Sequence, residues 1–221
     1  MIDWAVYDWA PLAIALVVAI FFADYSLTHL GARLSERVRD RWSVEGSYEM
    51  NPAWEGQIDS GRWFGWRVFA VPALLAIALA VVRWLAEVEG YWLVPGFFGL
   101  AVGAMLLLQA PVLMVHGANL LSFHDLADPT AVDGGVRYSR WYVYRQAAML
   151  VGSFGLLWLL LWLPSQQLFF LGGAVSCLTF AYRMARLGAT ARRARMDAGS
   201  TDEAPSTDAA PSTDAAPGTI P

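Results

Sequence analysis

An ionised carboxylate is costly inside a stretch of chain fit for lipid, and the sequence puts one there: Asp24, in the apolar run that begins near Pro11. Thr28 follows at i+4 and shares its helical face. A second polar set stands in a later apolar run, where Gln109, His116 and Asn119 fall within roughly 80° of one another at about 100° per residue. Between these runs comes Glu49-Met50-Asn51-Pro52; Asn before Pro favours an extended or turn backbone, which lets Glu49 aim back under the helices. Arg145 lies at the start of a further apolar run. The candidate binding residues are therefore Asp24, Thr28, Glu49, Asn51, His116, Asn119 and Arg145.

Two chemistries fit this set. Asp24, Glu49 and His116 are residue types that ligate a metal or pass a proton, here in a cavity open to the cytoplasm. Alternatively, Asp24 pairs with Arg145, Arg67 or Arg183, while His116 and Asn119 make interhelical hydrogen bonds. His29, five residues past Asp24, points about 140° away and is expected at the interface or against residues 31–42. Ser153 within Gly152 to Gly155, with His116 on another run, is a faint serine-protease pattern whose remaining elements are missing. No His-Glu-x-x-His, phosphate loop or Cys/His metal spacing occurs. The expectation is a non-enzymatic accessory or assembly protein without a cofactor, the alternative a small transporter or metal-dependent membrane enzyme, with the metal unknown.

The elements that must position these residues follow from composition. The chain has 221 residues, 57% hydrophobic and only 15% charged, with mean hydropathy +0.43, whereas roughly a quarter of a soluble domain is charged. A lipid bilayer is its expected partner. All 15 basic residues are Arg, and they flank apolar spans rather than forming a nucleic-acid-binding face. The formal charge of −4 is weighted by five acids in the last 25 residues, which leaves 14 acids elsewhere. The lone Cys177 falls inside a span, as a small core residue.

Hydropathy predicts an all-α polytopic membrane bundle of five transmembrane helices, at about 12–30, 66–84, 92–121, 142–163 and 168–187. Leu30, Leu34, Val38 and Trp42 recur every fourth position among charges, which predicts an amphipathic helix at about 31–42, continuing the first span or lying in the interface. Residues 43–60 read as a structured connection rather than a strand, and 122–140 as turn formers. Pro111 breaks the helical ladder inside the third span and frees the carbonyl one turn earlier. The acidic N-terminus lacks the positive n-region of a secretory signal.

Residues 1–195 are expected to form the transmembrane domain, and 196–221, with the repeated Ala-Pro-Ser-Thr-Asp-Ala, a disordered tail. Of the 15 arginines, 14 fall at one end of the spans and only Arg83 at the other. The positive-inside rule then predicts a cell-membrane protein with its N-terminus outside and its C-terminus inside. Gly99-xxx-Gly103, Ala148-xxx-Gly152 and Gly172-Gly173 permit close helix approach, within the chain or in a homo- or hetero-oligomer.

Asp24-x-x-x-Thr28 in the first span, followed by Glu49-x-Asn51-Pro52 before the second, resembles small uncharacterised multi-pass membrane proteins of archaea and bacteria. The resemblance covers residues 21–52 and implies a prokaryotic membrane protein with no known activity attached.

Overall fold

A computed structural model describes residues 2–89, 94–128, 130–131 and 134–201. Among them the helices are α1 (Ile2–Asp8), α2 (Ala10–Arg37), α3 (Pro52–Asp59), α4 (Trp66–Glu89), α5 (Val94–Leu126), α6 (Arg140–Ser165) and α7 (Leu168–Thr201). Two short strands, β1 (Trp42–Val44) and β2 (Val136–Tyr138), pair in parallel. Five helices, α2 and α4 to α7, are long and apolar enough to cross a bilayer. In α6 only 11% of the span is buried inside the protein. A helix so apolar and so little covered has lipid as its solvent rather than a protein core. The chain is an all-α, multi-pass membrane protein with five spans among the described residues.

The spans pack by two kinds of seam. Between α2 and α5 the half nearer the start of both helices is apolar: Ala10, Ala13 and Val17 are buried with Phe98 and Val102, and Leu79 of α4 joins them. Towards the other end the same faces turn polar, with Asp24 and Thr28 opposite His116. Between α5 and α7 the helices run parallel and nearly touch at the backbone. A Cβ on Gly103 would collide with the carbonyl of Phe169, and one on Gly172 with the carbonyl of Leu100. The small-residue patterns on these two helices are thus used inside the chain, where close approach gains van der Waals contact. Helix α6 returns antiparallel to α7 through Gln166, whose φ of 53° closes the hairpin.

Pro111 has no N–H for the carbonyl of Leu107, and that carbonyl finds another donor. The Sγ of Cys177 on α7 donates to it at 3.6 Å. An orphaned carbonyl in hydrocarbon is expensive, so the thiol has a packing role and a bonding one.

Helix α1 is an element that hydropathy does not reveal. It lies against α5, and its Asp3 is buried. The Asp3 carboxylate accepts the N–H groups of Leu168 and Phe169, both at 2.9 Å. In return the Asp3 N–H donates to Oε1 of Gln167 at 3.2 Å. A negative charge on the free N–H groups of a helix start meets both an orphaned donor set and the positive end of the macrodipole. Gly99 makes the room, since a Cβ there would meet the Asp3 carboxylate.

The amphipathic segment expected at 31–42 continues the first span, helical as far as Arg37; short of the expected end a turn follows, and Trp42 enters β1. The turn is held to other elements. The Arg41 guanidinium donates to the carbonyls of Leu126 and Asp128 at 2.5 and 2.9 Å, capping the end of α5, and the Val136 N–H donates to the Arg41 carbonyl at 2.8 Å.

Residues 43–60, read as a connection without a strand, contain most of β1 and all of α3. Asn51 caps α3 by accepting the Ala53 N–H at 3.3 Å, and Pro52 occupies the first turn. The last span runs on to Thr201, past the expected 187 and past Met196. Its Ala- and Arg-rich extension has strong helix propensity and is anchored by Arg192 over the Trp141 ring, 5.6 Å from its centroid. The rest of the predicted tail, 202–221, lies outside the described residues.

Candidate functional site

Parallel packing of α2 on α5 brings Asp24 and His116 to one depth. Nε2 of His116 lies 3.0 Å from Oδ1 of Asp24 and 3.2 Å from the hydroxyl of Thr28. Thr28 also donates to the Asp24 backbone carbonyl at 2.9 Å, so the i, i+4 pair on α2 presents one joined face. The approach to Oδ1 is an electrostatic contact off the axis of a hydrogen bond. Nδ1 of His116 is buried and makes no hydrogen bond to any described residue.

A strap of chain from Gly46 to Asn51 passes over this pair. Ser47 donates to Oδ1 of Asp59 on α3 at 2.6 Å and accepts the Glu49 N–H at 3.1 Å. Oε1 of Glu49 accepts the Asn51 N–H at 2.6 Å. The Tyr48 ring is wedged against α2 where Gly31 leaves space, and its hydroxyl accepts from Asn119 of α5 at 3.4 Å. Burial raises the Glu49 carboxyl above the usual carboxylate range; the Asn51 N–H opposes this, the nearby Asp24 charge adds to it, and His116 opposes it in turn. Burial likewise raises the Tyr48 hydroxyl.

Of the candidate residues, Asp24, Thr28 and His116 are in direct contact. Glu49 is within electrostatic range of the pair. Asn51 holds Glu49 and starts α3, and Asn119 holds Tyr48. Arg145 stands apart: it is exposed on α6, with its backbone nitrogen beside Gly188 of α7. None of the three arginines considered as partners for Asp24 pairs with it. Arg67 instead donates to the Ala53 carbonyl at 3.2 Å, and Arg183 is exposed. For Arg145 the neighbour order explains this, because α6 packs mainly on α7 rather than on the α2–α5 seam. Ser153 is likewise remote in role, since its hydroxyl is spent on the Met149 carbonyl at 2.8 Å. Among the described residues, no three His, Cys, Asp or Glu side chains converge as metal ligands do.

Sequence reasoning missed a second polar knot on α2, one residue on and so about 100° round the helix from the first. The Tyr25 hydroxyl meets Nε2 of His29 at 2.7 Å, accepts from Gln57 of α3 at 2.6 Å, and lies 3.0 Å from the Trp63 carbonyl. His29 stacks on Trp63 with ring centroids 5.0 Å apart. It therefore packs on the 54–63 region rather than on 31–42. Tyr25 and His29 at i, i+4 were the available signal. Nearby, Arg140 grips Glu55 through two hydrogen bonds of 3.0 Å, fixing α3 to the start of α6. This pairing holds the Glu55 carboxyl below its usual range.

Compared with protein-family models, with curated proteins and with solved structures, the chain matches none of them.

Proposed function

We propose that the chain is a small proton-coupled transporter of the cell membrane, with its arginine-rich end and C-terminus in the cytoplasm, in which the Asp24–His116–Glu49 cluster takes up and releases a proton. The observation that carries this reading is the partner of Asp24: an imidazole at 3.0 Å in place of an arginine. An arginine keeps its charge at every accessible pH and would make the pair a permanent strut. A histidine changes charge near physiological pH, so the same contact becomes sensitive to proton occupancy. Glu49 adds a second carboxyl that burial biases towards its protonated form. The orientation rests on 14 arginines at one end against Arg83 at the other.

A second reading makes the chain an accessory or assembly protein, with the cluster as a fastening between spans. It is favoured by the Thr28 hydroxyl, which engages both the Asp24 carbonyl and His116. Infrared difference spectra of the purified protein between about pH 5 and pH 8 separate the two. The transporter reading expects a carboxyl band that appears with acid and is altered by Asp24→Asn, Glu49→Gln and His116→Gln. If no band titrates in the wild type while His116→Gln still lowers the melting temperature, the fastening reading stands and the transporter reading fails.

A further inference from the structure

A cavity of about 250 Å³ opens beside the cluster, between the end of α2, β1, the Gly46–Asn51 strap and α3. Glu36, Asp59 and Arg39 line it, together with Trp42, Ser47 and Tyr48. Two carboxylates against one guanidinium leave the wall net negative. Glu36 and Arg39 form no ion pair with any described residue, so neither charge is spent on the fold. Asp59 gives Oδ1 to Ser47 at 2.6 Å, which fixes its carboxylate at the wall. Trp42 and Tyr48 stand edge to face, with centroids 6.3 Å apart. Both rings also pack on Phe123, which holds them in place as a rigid wall; carboxylates beside such a wall recognise a small organic ammonium by charge.

We propose that this cavity is a binding site for a small organic cation, of the size and type of a methylated ammonium. Its volume is below that of a drug-sized pocket, about 300 Å³ upwards, which limits the ligand to a small molecule. The location gives the site a consequence. Tyr48 and Ser47 belong to both the cavity wall and the strap, and Glu49, next in sequence, carries the carboxyl that senses Asp24 and His116. The Asp59 charge in the wall helps to raise that carboxyl, as Asp24 does and against His116, so a cation that screens Asp59 lowers the carboxyl's proton affinity. Cation binding and proton release are then linked, and the linkage is reciprocal. The coupling rests on the proton-binding reading above; the cation site itself does not.

Calorimetric titration of the full chain in detergent with tetramethylammonium chloride, against sodium chloride at equal ionic strength, tests both parts. Saturable binding is expected for tetramethylammonium alone. Glu36→Gln and Asp59→Asn should each weaken it about tenfold, the effect of one unit charge about 5 Å away at an effective dielectric constant of about 50. Arg39→Gln should tighten it, by relieving repulsion. Absence of saturable binding, indifference to both carboxylate substitutions, or weakening by Arg39→Gln would each overturn the site; the last would indicate a ligand with its own negative charge. Repeating the titration in buffers of different ionisation enthalpy reads the protons released. Binding with no proton release leaves the cation site standing and overturns the coupling, while the proton-binding reading stands or falls on the infrared spectra.

Discussion

Replacing Asp3 with alanine removes a side chain near the beginning of the chain and should loosen the start of its last long helix. In the wild type the carboxylate accepts the Leu168 and Phe169 N–H groups at 2.9 Å each, and Asp3 is only 8% exposed. Without it, two N–H groups lose their partner where water has little access. Each costs about 1 kcal/mol at the low end of the usual range, and loss of the charge at the positive end of α7 adds about 0.5–1 kcal/mol. The expected destabilisation is about 2–3 kcal/mol. At about 2–4 °C per kcal/mol for a chain of this size, the melting temperature should fall by roughly 5–10 °C. Asp3→Asn keeps an acceptor oxygen and loses the charge, and should fall about half as far. Tryptophan fluorescence during heating of the detergent-solubilised protein reads the global effect, and hydrogen exchange at Leu168 and Phe169 reads the local one. Should Asp3→Ala melt with the wild type and leave exchange at those two amides unchanged, the capping argument is wrong.

Other perturbations bear on the remaining contacts. Burial raises the Glu49 proton affinity in the folded state, so its contribution is full below the unfolded-state pKa of about 4.3 and is withdrawn as pH rises through the folded value. Glu49→Gln, which keeps an oxygen for the Asn51 N–H, should therefore melt above wild type at pH 8 and alongside it at pH 4; equal melting at both would refute the burial. The Arg140–Glu55 pair runs the other way: its depressed carboxyl stabilises above the unfolded pKa and loses that effect as acid protonates it. A double-mutant cycle with Arg140→Gln and Glu55→Gln should give about 1 kcal/mol of coupling at neutral pH, shrinking towards zero in acid. Cys177→Ala should cost about 1 kcal/mol in the wild type and distinctly less in a Pro111→Ala background, where a restored N–H serves Leu107; equal costs in both would show that the thiol bond is immaterial.

The spans were legible because lipid imposes a continuous requirement on about 20 residues at a time. Counting about 1.5 Å per residue inward from the span ends was enough to set Asp24 and His116 at matching depths. What depth could not supply was azimuth and neighbour order. Arg145, Arg67 and Arg183 are counted to the same end of the spans as Asp24, yet Arg67 donates to the Ala53 carbonyl and the other two are exposed. Asn51-Pro52 is a helix-start signal in retrospect, although the polar run around it masks the eight residues of α3. Strands of three residues show no alternation to detect. The Asp3 contact spans 165 positions and joins two short polar signals, neither with any period of its own.

The water-exposed end of the bundle is tied across several spans at once. Strand β1 joins β2, Arg41 holds the end of α5, and Arg140 holds α3, so the termini of α2, α5 and α6 are cross-braced outside the membrane. At the far end α4 is held to α1: the Arg83 guanidinium donates to the Tyr7 carbonyl at 2.7 Å and lies 5.0 Å from the centroid of the Tyr7 ring. A frame fastened at both rims resists rigid tilting of its members, so any opening has to come from side chains or from a local bend within a span.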